Sequence, residues 1–321
     1  MLNPVPKTLV VGIDGLLGRY FYRAYRKFFP DCQGTTRRFA HTDAIHFDLW
    51  NSSPEVLPLA KGNYRAAVIA VGVTGIEQCE RNPLLTRRIN VDGTLRLIDN
   101  LQSRGVVPII FNSTSVFGME PDGIHDQNFF EPRSEYARQK LYVEQAVRNS
   151  SRPYIMARLG KVFGLAENDD TYLRHIAQRL VGGQAVKAAD DEIICPTSVE
   201  DAVAAIMRLQ QKGFRGDIAV CSPEAVSRYD LALRVADLLG CSRDQVIRIS
   251  RRDLPDGNSR AAYYNVVDSS QLMKEFSFQF TPLDHSLQIL ADRVQVTDMS
   301  LMGTKSNERN RCPQGKIRFA A

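Results

Sequence analysis

A tyrosine and a lysine four residues apart form the first pair in this chain that could do chemistry. Tyr136 and Lys140 occur in Ser-Glu-Tyr-Ala-Arg-Gln-Lys-Leu, and on a helix this spacing places both side chains on one face. An ammonium beside a phenol favours the phenolate, so Tyr136 could exchange a proton near neutral pH. Most pairs of this kind are only solvated helix surface, so the interpretation depends on the rest of the chain.

A glycine-rich turn near the start of the chain could hold a dinucleotide. The apolar run 8–12 stops at Gly12, and Gly15 and Gly18 follow at intervals of three. A strand that turns sharply into a helix directs backbone N–H groups and the positive helix end at one point, where a pyrophosphate can bind. The spacing differs from G-x-G-x-x-G, and many glycine turns bind nothing. Together with Tyr136, however, the turn indicates hydride transfer at a carbonyl or an alcohol.

Two arginines follow the second predicted strand, near residues 34–36. A carboxylate in this place would bond the ribose 2′-OH of NAD, whereas Arg37 and Arg38 suit the 2′-phosphate of NADP. The sequence therefore favours NADP(H) over NAD(H), although paired arginines are most often surface charge. Asp48 and Leu49 follow in a predicted adenine-binding turn, for which the alternative is an ordinary strand end.

A hydroxyl-rich segment ends a third predicted strand. Ser113, Thr114 and Ser115 fall at the carboxyl edge of the sheet, where ligands of open α/β sheets bind. A hydroxyl there can bond the substrate oxygen that Tyr136 protonates. Serine and threonine at strand ends are usually turn formers, but this group precedes Tyr136 in a different element that can converge on the same point.

The elements that must position these residues alternate along the first half of the chain. Apolar runs predict strands at 8–12, 66–72, 107–113 and 154–159, and amphipathic patterns predict helices at 17–29, 83–104 and 134–149. Near-continuous apolar strands separated by helices indicate an α/β fold, a doubly wound parallel sheet of the Rossmann type.

The pattern changes after about Gly164. Helices are predicted at 171–181, 200–211, 228–239 and 282–296, with short strand candidates between them. We therefore expect an NADP-binding domain at 1–164, with returning segments near 198–222, and a smaller α/β substrate lobe at 165–296. Residues 297–321 are polar and aperiodic and predict a disordered tail.

Composition excludes several classes of protein. Hydrophobic residues make up 44% of the 321 and charged residues 24%, with a net charge of only +5, so no nucleic-acid partner is expected. No apolar run is long enough to span a bilayer, and no signal peptide is evident, so we expect a cytoplasmic protein without a membrane partner. The six cysteines show no C-x-x-C spacing, and no metal is expected.

These motifs, in this order, resemble the extended short-chain dehydrogenases/reductases, the epimerase/dehydratase type of nucleotide-sugar enzyme. Within that superfamily the chain resembles the dTDP-4-dehydrorhamnose reductase branch, over residues 7 to 295. The resemblance rests on the glycine turn, Ile89-Asn90-Val91-Asp92-Gly93-Thr94, Ser113 before Val116-Phe117-Gly118, the Tyr–Lys pair, Arg158-Leu159-Gly160-Lys161-Val162-Phe163-Gly164, Cys195-Pro196-Thr197-Ser198-Val199-Glu200-Asp201-Ala202 and Ser227-Arg228-Tyr229-Asp230.

The resemblance implies an enzyme, a homodimer and a role for each site residue. Tyr136 is the proton donor, Lys140 binds the nicotinamide ribose and lowers the pKa of Tyr136, and Ser113 bonds the keto oxygen. The implied cofactor-binding residues are Gly12, Gly15, Leu16, Leu17, Gly18, Arg37, Arg38, Asp48, Leu49, Val71, Gly72, Val73, Asn90, Tyr136 and Lys140. The implied substrate is a nucleotide sugar, and we expect Thr74, Thr114, Ser115, Lys161 and Arg260 to contact it, with Lys161 and Arg260 near its diphosphate.

Departures from related families narrow the reaction. Sugar-nucleotide dehydratases carry an Asp–Glu pair where Thr114 and Ser115 stand, and GDP-fucose synthase carries a cysteine where Ser115 stands. These departures leave simple reduction of a 4-keto-sugar nucleotide. The alternatives are a nucleotide-sugar 4-epimerase and an NADP-binding regulatory subunit, because the regulatory subunit of methionine adenosyltransferase resembles the same branch.

Overall fold

A seven-stranded parallel sheet forms the centre of the molecule. The computed structural model describes residues 3–38, 44–117, 130–253 and 264–294. The strands of these residues are β1 (Thr8–Val11), β2 (Gly34–Thr36), β3 (Ile45–His46), β4 (Ala66–Ile69), β5 (Val107–Ser113), β6 (Ile155–Leu159), β7 (Lys161–Phe163), β8 (Val186–Ala189), β9 (Ile193–Ile194), β10 (Pro196–Ser198), β11 (Gly216–Val220), β12 (Val226–Ser227), β13 (Val246–Ile249) and β14 (Tyr264–Asn265). The central sheet has the order β11-β6-β5-β4-β1-β2-β3.

Helices cover both faces of this sheet. They are α1 (Leu16–Phe28), α2 (Ile76–Arg81), α3 (Pro83–Arg87), α4 (Thr94–Ser103), α5 (Glu135–Asn149), α6 (Tyr172–Val181), α7 (Val199–Gln211), α8 (Arg228–Leu239), α9 (Ser270–Glu275) and α10 (283–294). The central strands are buried along nearly their whole length, which explains why they read as continuous apolar runs. The predicted doubly wound α/β fold is confirmed.

The order of the strands reverses beside β1, and this places the ligand crevice. Strand β1 pairs with β2 on one side and with β4 on the other. At such a switch point the two connections leave in opposite directions and open a crevice at the carboxyl ends of the strands. The residues after β1, β4, β5 and β6 therefore meet at one edge.

One long helix carries an irregular turn at this edge. A π-helical turn over Arg88–Gly93 joins α3 to α4. The sequence pattern had predicted one regular helix over the whole of 83–104. The wider turn contains Asn90, and a Cβ at Gly93 would overlap the carbonyl oxygen of Leu49. Such turns often occur at functional sites.

Later segments form a second apolar cluster with small sheets of their own. Strand β13 pairs with β8, and β9 lies between β12 and β14. Helices α6, α8 and α10 pack there through residues such as Leu173, Leu231 and Leu287. Strand β11 instead joins the edge of the central sheet beside β6. The boundaries at 164 and 296 stay predictions, and the tail at 297–321 lies outside the described residues.

Within the described part of the chain, no helix is both long and apolar enough to span a bilayer.

Candidate active site

In the glycine turn after β1, the backbone lies very close to its neighbours, in places where a side chain would not fit. Gly12 has a φ of +94°, and a Cβ there would overlap Val71. At Gly18, in the first turn of α1, a Cβ would overlap the carbonyl oxygen of Gly12. The helix start is thus pressed against the strand end, with Gly15, Leu16 and Leu17 between them at the rim of the cleft. A cradle of this shape fits a pyrophosphate.

Asn90 supports the neighbouring loop from below. Its side chain accepts a hydrogen bond from the backbone N–H of Val73 at 2.7 Å and donates one to the Val73 carbonyl oxygen at 2.9 Å. A further hydrogen bond joins it to Gln139 of α5 at 2.9 Å. Asn90 is buried, so in this geometry it orders Gly72 and Val73, and the loop, with Val71, presents the surface to a ligand.

The three predicted catalytic residues line one cleft of about 570 Å³. Ser113 ends β5, while Tyr136 and Lys140 project from α5. The cleft also contains Thr74, Thr114, Ser115 and Lys161, so the structure brings these predicted substrate residues to the same place. Arg260 lies outside the described residues.

The electrostatics of Tyr136 differ from the expectation. Burial, the largest cause, raises the pKa of Tyr136 to about 12, and a hydrogen bond with Ser113 only partly opposes it. The Lys140 ammonium lies 5.9 Å from the centre of the Tyr136 ring and donates to the Phe111 carbonyl oxygen at 2.9 Å. Desolvation of the phenolate is the largest influence in this arrangement, so the pKa of Tyr136 is raised overall, and the lowering contribution of Lys140 stays a prediction.

Burial also changes Lys140. Removal of its ammonium from water lowers its pKa to about 8. Cys79 is itself fully buried, and burial raises the pKa of its thiol, so it is a neutral neighbour at pH 7. In the neutral range, Tyr136 is a protonated phenol and Lys140 remains largely an ammonium.

The hydroxyl cluster is ordered by its own hydrogen bonds. Ser113 caps a short 3-10 turn and accepts bonds from the backbone N–H of Ser115 at 3.2 Å and from its hydroxyl at 2.9 Å. Its own hydroxyl hydrogen remains free to be donated towards Tyr136 or an oxygen in the cleft. Thr114 bonds Asn265 of β14 at 3.1 Å, which ties the second apolar cluster to the end of β5.

A second cavity of about 620 Å³ continues from the glycine turn. Arg37 and Arg38 line it and are exposed, and Asp48 and Leu49 lie on its wall. The Asp48 carboxylate accepts from the Trp50 N–H at 3.0 Å and so orders its own turn. Sequence inspection missed several members of this wall, among them Asp14, which accepts a hydrogen bond from Thr36 at 2.6 Å.

The opposite end of the cleft carries charges that motif reading missed. Glu192, Arg228 and Arg251 line it together with Lys161. Arg228 belongs to the Ser-Arg-Tyr turn noted in the sequence, but nothing local marks Glu192 or Arg251 as site residues. Among the described residues, no group of histidine, cysteine or carboxylate side chains is arranged to hold a metal ion.

Comparison with known proteins decides the family. The model of the family described as RmlD substrate binding domain matches residues 6–296. The chain belongs to this family. The predicted membership of the extended short-chain dehydrogenases/reductases, in the branch of the RmlD family, is confirmed.

Relatives of the RmlD family support the enzyme class. The chain is 25% identical over 245 residues to a probable low-salt glycan biosynthesis reductase of Haloferax volcanii, covering 73% of this chain and 80% of the relative. It is 26% identical over 226 residues to a dTDP-4-dehydrorhamnose reductase of Mycobacterium tuberculosis, covering 68% and 72%. The predicted class, an NAD(P)-dependent oxidoreductase acting on a nucleotide sugar, is confirmed at the level of the family.

A solved structure shows the same fold. It is a dTDP-4-dehydrorhamnose reductase from Bacillus anthracis in complex with NADP, with a TM-score of 0.75 and 18% identity, covering 88% of this chain and 97% of that one. The cradle at Gly12 and Gly18 and the two adjoining cavities fit an extended dinucleotide, so a nicotinamide cofactor is consistent with the residues present.

Proposed function

We propose that the protein is an NADPH-dependent reductase of a 4-keto-sugar nucleotide. The observation that carries this proposal is the single cleft that contains Ser113, Tyr136 and Lys140 and opens onto the glycine turn. Reduction needs an acid that stays protonated until an alkoxide develops. A phenol whose pKa burial raises to about 12 meets this need at neutral pH.

The residues divide the work of the reaction. A nicotinamide bound along the glycine turn would supply the hydride. Tyr136 donates its phenolic proton to the keto oxygen, and the Ser113 hydroxyl holds that oxygen by a hydrogen bond. Lys140 contributes a positive charge beneath the phenol, where it stabilises the phenolate left after proton transfer and can bind a ribose hydroxyl.

We assign the second cavity to the adenosine half of NADPH. Arg37 and Arg38 bring two positive charges, and Asp14 and Asp48 bring two negative charges. The carboxylates already accept hydrogen bonds from Thr36 and from the Trp50 N–H, whereas the two exposed guanidiniums can donate charge-assisted bonds to the 2′-phosphate of NADPH, which NADH lacks. Gly72 and Val73, held by Asn90, would border the dinucleotide between the two cavities.

Turnover of 4-keto-sugar nucleotides with NADPH tests the proposal. The full chain is mixed with NADPH and a panel of these compounds, and loss of absorbance at the nicotinamide band is followed. Tyr136→Phe should lower kcat by a factor on the order of 10² to 10⁴, the usual contribution of a positioned acid, and leave NADPH affinity nearly unchanged.

Tyr142→Phe is the matched control, because Tyr142 lies on the same helix but is exposed. It should retain full activity. Equal activity of Tyr136→Phe and the native protein would refute the assignment of the proton donor. Binding of NADPH without turnover of any keto sugar would instead favour the regulatory alternative.

A further inference from the structure

A buried glutamine on α5 lies between the two residues of the Tyr–Lys pair. Gln139 is 1% exposed, follows Tyr136 by three residues and directly precedes Lys140. It is not among the described residues that line either cavity, so it cannot act on a bound ligand directly. A buried amide must be satisfied by the protein itself, and the partners of Gln139 show which elements it connects.

The side-chain amide of Gln139 is bonded at both of its ends. Its oxygen accepts from the Asn90 Nδ2 at 2.9 Å. Its nitrogen donates to the Thr86 hydroxyl and to the Glu135 carboxylate, each at 3.0 Å. An ionised carboxylate can only accept, and the Thr86 hydroxyl donates its own hydrogen to the Asn82 carbonyl oxygen at 3.0 Å. These partners fix which end of the amide faces Asn90.

Asn90 extends this chain of hydrogen bonds to the loop between β4 and α2, residues 70–75. Its side chain bonds both the N–H and the carbonyl oxygen of Val73, at 2.7 and 2.9 Å. Residues of this loop line both cavities, Val73 the second cavity and Thr74 the cleft. Two side-chain amides therefore connect the backbone of the loop to the helix that carries Tyr136.

A second contact joins the same end of α5 to α2. The Glu80 carboxylate of α2 accepts from the backbone N–H of Glu135, the first residue of α5, at 2.8 Å. Helix α2 begins directly after the loop 70–75. The first turn of α5, which contains Tyr136, is thus connected to this loop both through Gln139 and through α2.

We propose that Gln139 is a positioning residue that couples the loop 70–75 to the helix of Tyr136, so that cofactor binding and placement of the acid depend on each other. A dinucleotide that contacts Val73 would stabilise the loop and, through the two amides, the first turn of α5. Without Gln139, Asn90 loses a partner and its hold on Val73 loosens, so the cofactor must order the loop as it binds. The inference rests on the proposed function for the role of Tyr136.

Gln139→Met tests the coupling, because it removes both ends of the amide and keeps the length of the side chain. The Kd of the full chain should rise about tenfold for whichever of NADPH and NADH the native protein binds more tightly, as measured by fluorescence titration. At saturating cofactor, kcat with a keto sugar that the native protein reduces should also fall about tenfold, because Tyr136 is less well placed. The KM for that sugar should stay within twofold, because the residues that bind the sugar are unchanged.

A double-mutant cycle shows whether the effect passes through Asn90. If it does, Asn90→Ala should weaken cofactor binding at least as much as Gln139→Met. The variant with both substitutions should then bind no more weakly than Asn90→Ala alone. Independent effects would multiply instead, and that result would overturn the coupling.

Gln210→Met is the matched control. Gln210 is also a buried glutamine, 7% exposed, and bonds Tyr25 and the hydroxyl of Thr8, at the opposite end of β1 from Gly12. Its replacement should lower the melting temperature but leave the cofactor Kd and kcat within twofold of the native values. If Gln139→Met behaves in the same way, Gln139 only stabilises the fold and the inference is wrong.

Thr86→Val keeps the test decisive if Gln139→Met does not fold. It removes only the hydroxyl that orients Gln139, with little change in volume, so the cofactor Kd should rise by a smaller factor, about threefold. An unchanged Kd in folded Thr86→Val would contradict the coupling. Cofactor binding is measured without turnover, so failure of every keto sugar would refute the reductase and leave this result standing.

Discussion

Tyr136 shows how one side chain changes its chemistry with burial. Neighbouring residues alone suggested a phenolate, but the cleft raises the pKa of Tyr136 to about 12 and makes it an acid. For a reductase this is the useful state, since the proton must leave only when negative charge develops on the keto oxygen. The same desolvation lowers the pKa of Lys140 to about 8.

Arg37 and Arg38 carry a prediction about cofactor choice. NADPH should bind at least several-fold more tightly than NADH, because the exposed guanidiniums of Arg37 and Arg38 in the second cavity can bond the 2′-phosphate that NADH lacks. Replacing both arginines by alanine should erase the preference, chiefly by weakening NADPH. Fluorescence titration with each cofactor measures both affinities.

The control is Arg23→Ala with Lys27→Ala, two exposed charges on α1 away from the cavity. This variant should keep the native preference. Equal affinities of the native protein for NADPH and NADH would show that the arginines are plain surface charge.

Helix α5 is fastened to the ends of two strands by a buried carboxylate. Glu144, one turn after Lys140, has a fully buried side chain and pairs with Arg158 of β6. It also accepts from Asn112, whose oxygen in turn receives the backbone N–H of Ser113 at 2.8 Å. Asn112 and Arg158 are register partners in adjacent strands. The network therefore links the helix of Tyr136 to the strand of Ser113.

Glu144→Gln should destabilise the protein by about 3–5 kcal/mol, because it removes the shared countercharge from a buried ion pair. Urea unfolding measures the change. It should also lower kcat more than it changes the affinity for NADPH, since Ser113 and Tyr136 lose their common anchor. Glu77→Gln is the control.

Glu77 pairs with Arg81 on the surface, where both side chains are well over half exposed. Its replacement should change stability by less than about 1 kcal/mol. Equal free energies of unfolding for Glu144→Gln and Glu77→Gln would mean that the buried network does not stabilise the protein.

The two parts of the molecule are joined by side-chain contacts between residues far apart in the sequence. Asp169 pairs with Arg19 of α1 and accepts from Tyr20 at 2.6 Å. Asp201 of α7 accepts from the hydroxyl of Thr281 at 2.9 Å, just before α10. These contacts join α1 to the segment before α6 and join α7 to the start of α10.

The whole molecule also presents an apolar surface on α3 and α5. Leu84 is 79% exposed and Tyr142 47% exposed. We predict a homodimer through these helices, in which Leu84→Glu should weaken association at least about tenfold by burying an unpaired charge. Light scattering over a range of concentrations measures the state. Val56→Glu, at a site 54% exposed elsewhere, should leave it unchanged. A native protein that stays monomeric at high concentration would contradict the prediction.

Local pattern was enough to predict most of the elements. Strand β5 and helix α8 have the predicted bounds, and several others differ by a residue or two at their ends. Apolar periodicity and turn-forming residues are patterns of a few neighbouring positions, so they can be recognised in the sequence itself. The order of Gly12, Ser113, Tyr136 and Lys140 likewise sufficed to identify the superfamily. The π-helical turn at Arg88–Gly93 was not foreseen, since its amphipathic pattern is that of an ordinary helix.

Only tertiary packing brought the charged side chains of the site together and set the distances between them. Glu192 meets Arg228 and Arg251, and Arg19 meets Asp169 across 150 positions of chain, because separate elements pack together. The acidity of Tyr136 depends on the same packing, since desolvation comes from neighbours distant in sequence. Motif spacing therefore identified which groups could react, whereas three-dimensional packing set their protonation and brought Glu192, Arg228 and Arg251 into the same cleft.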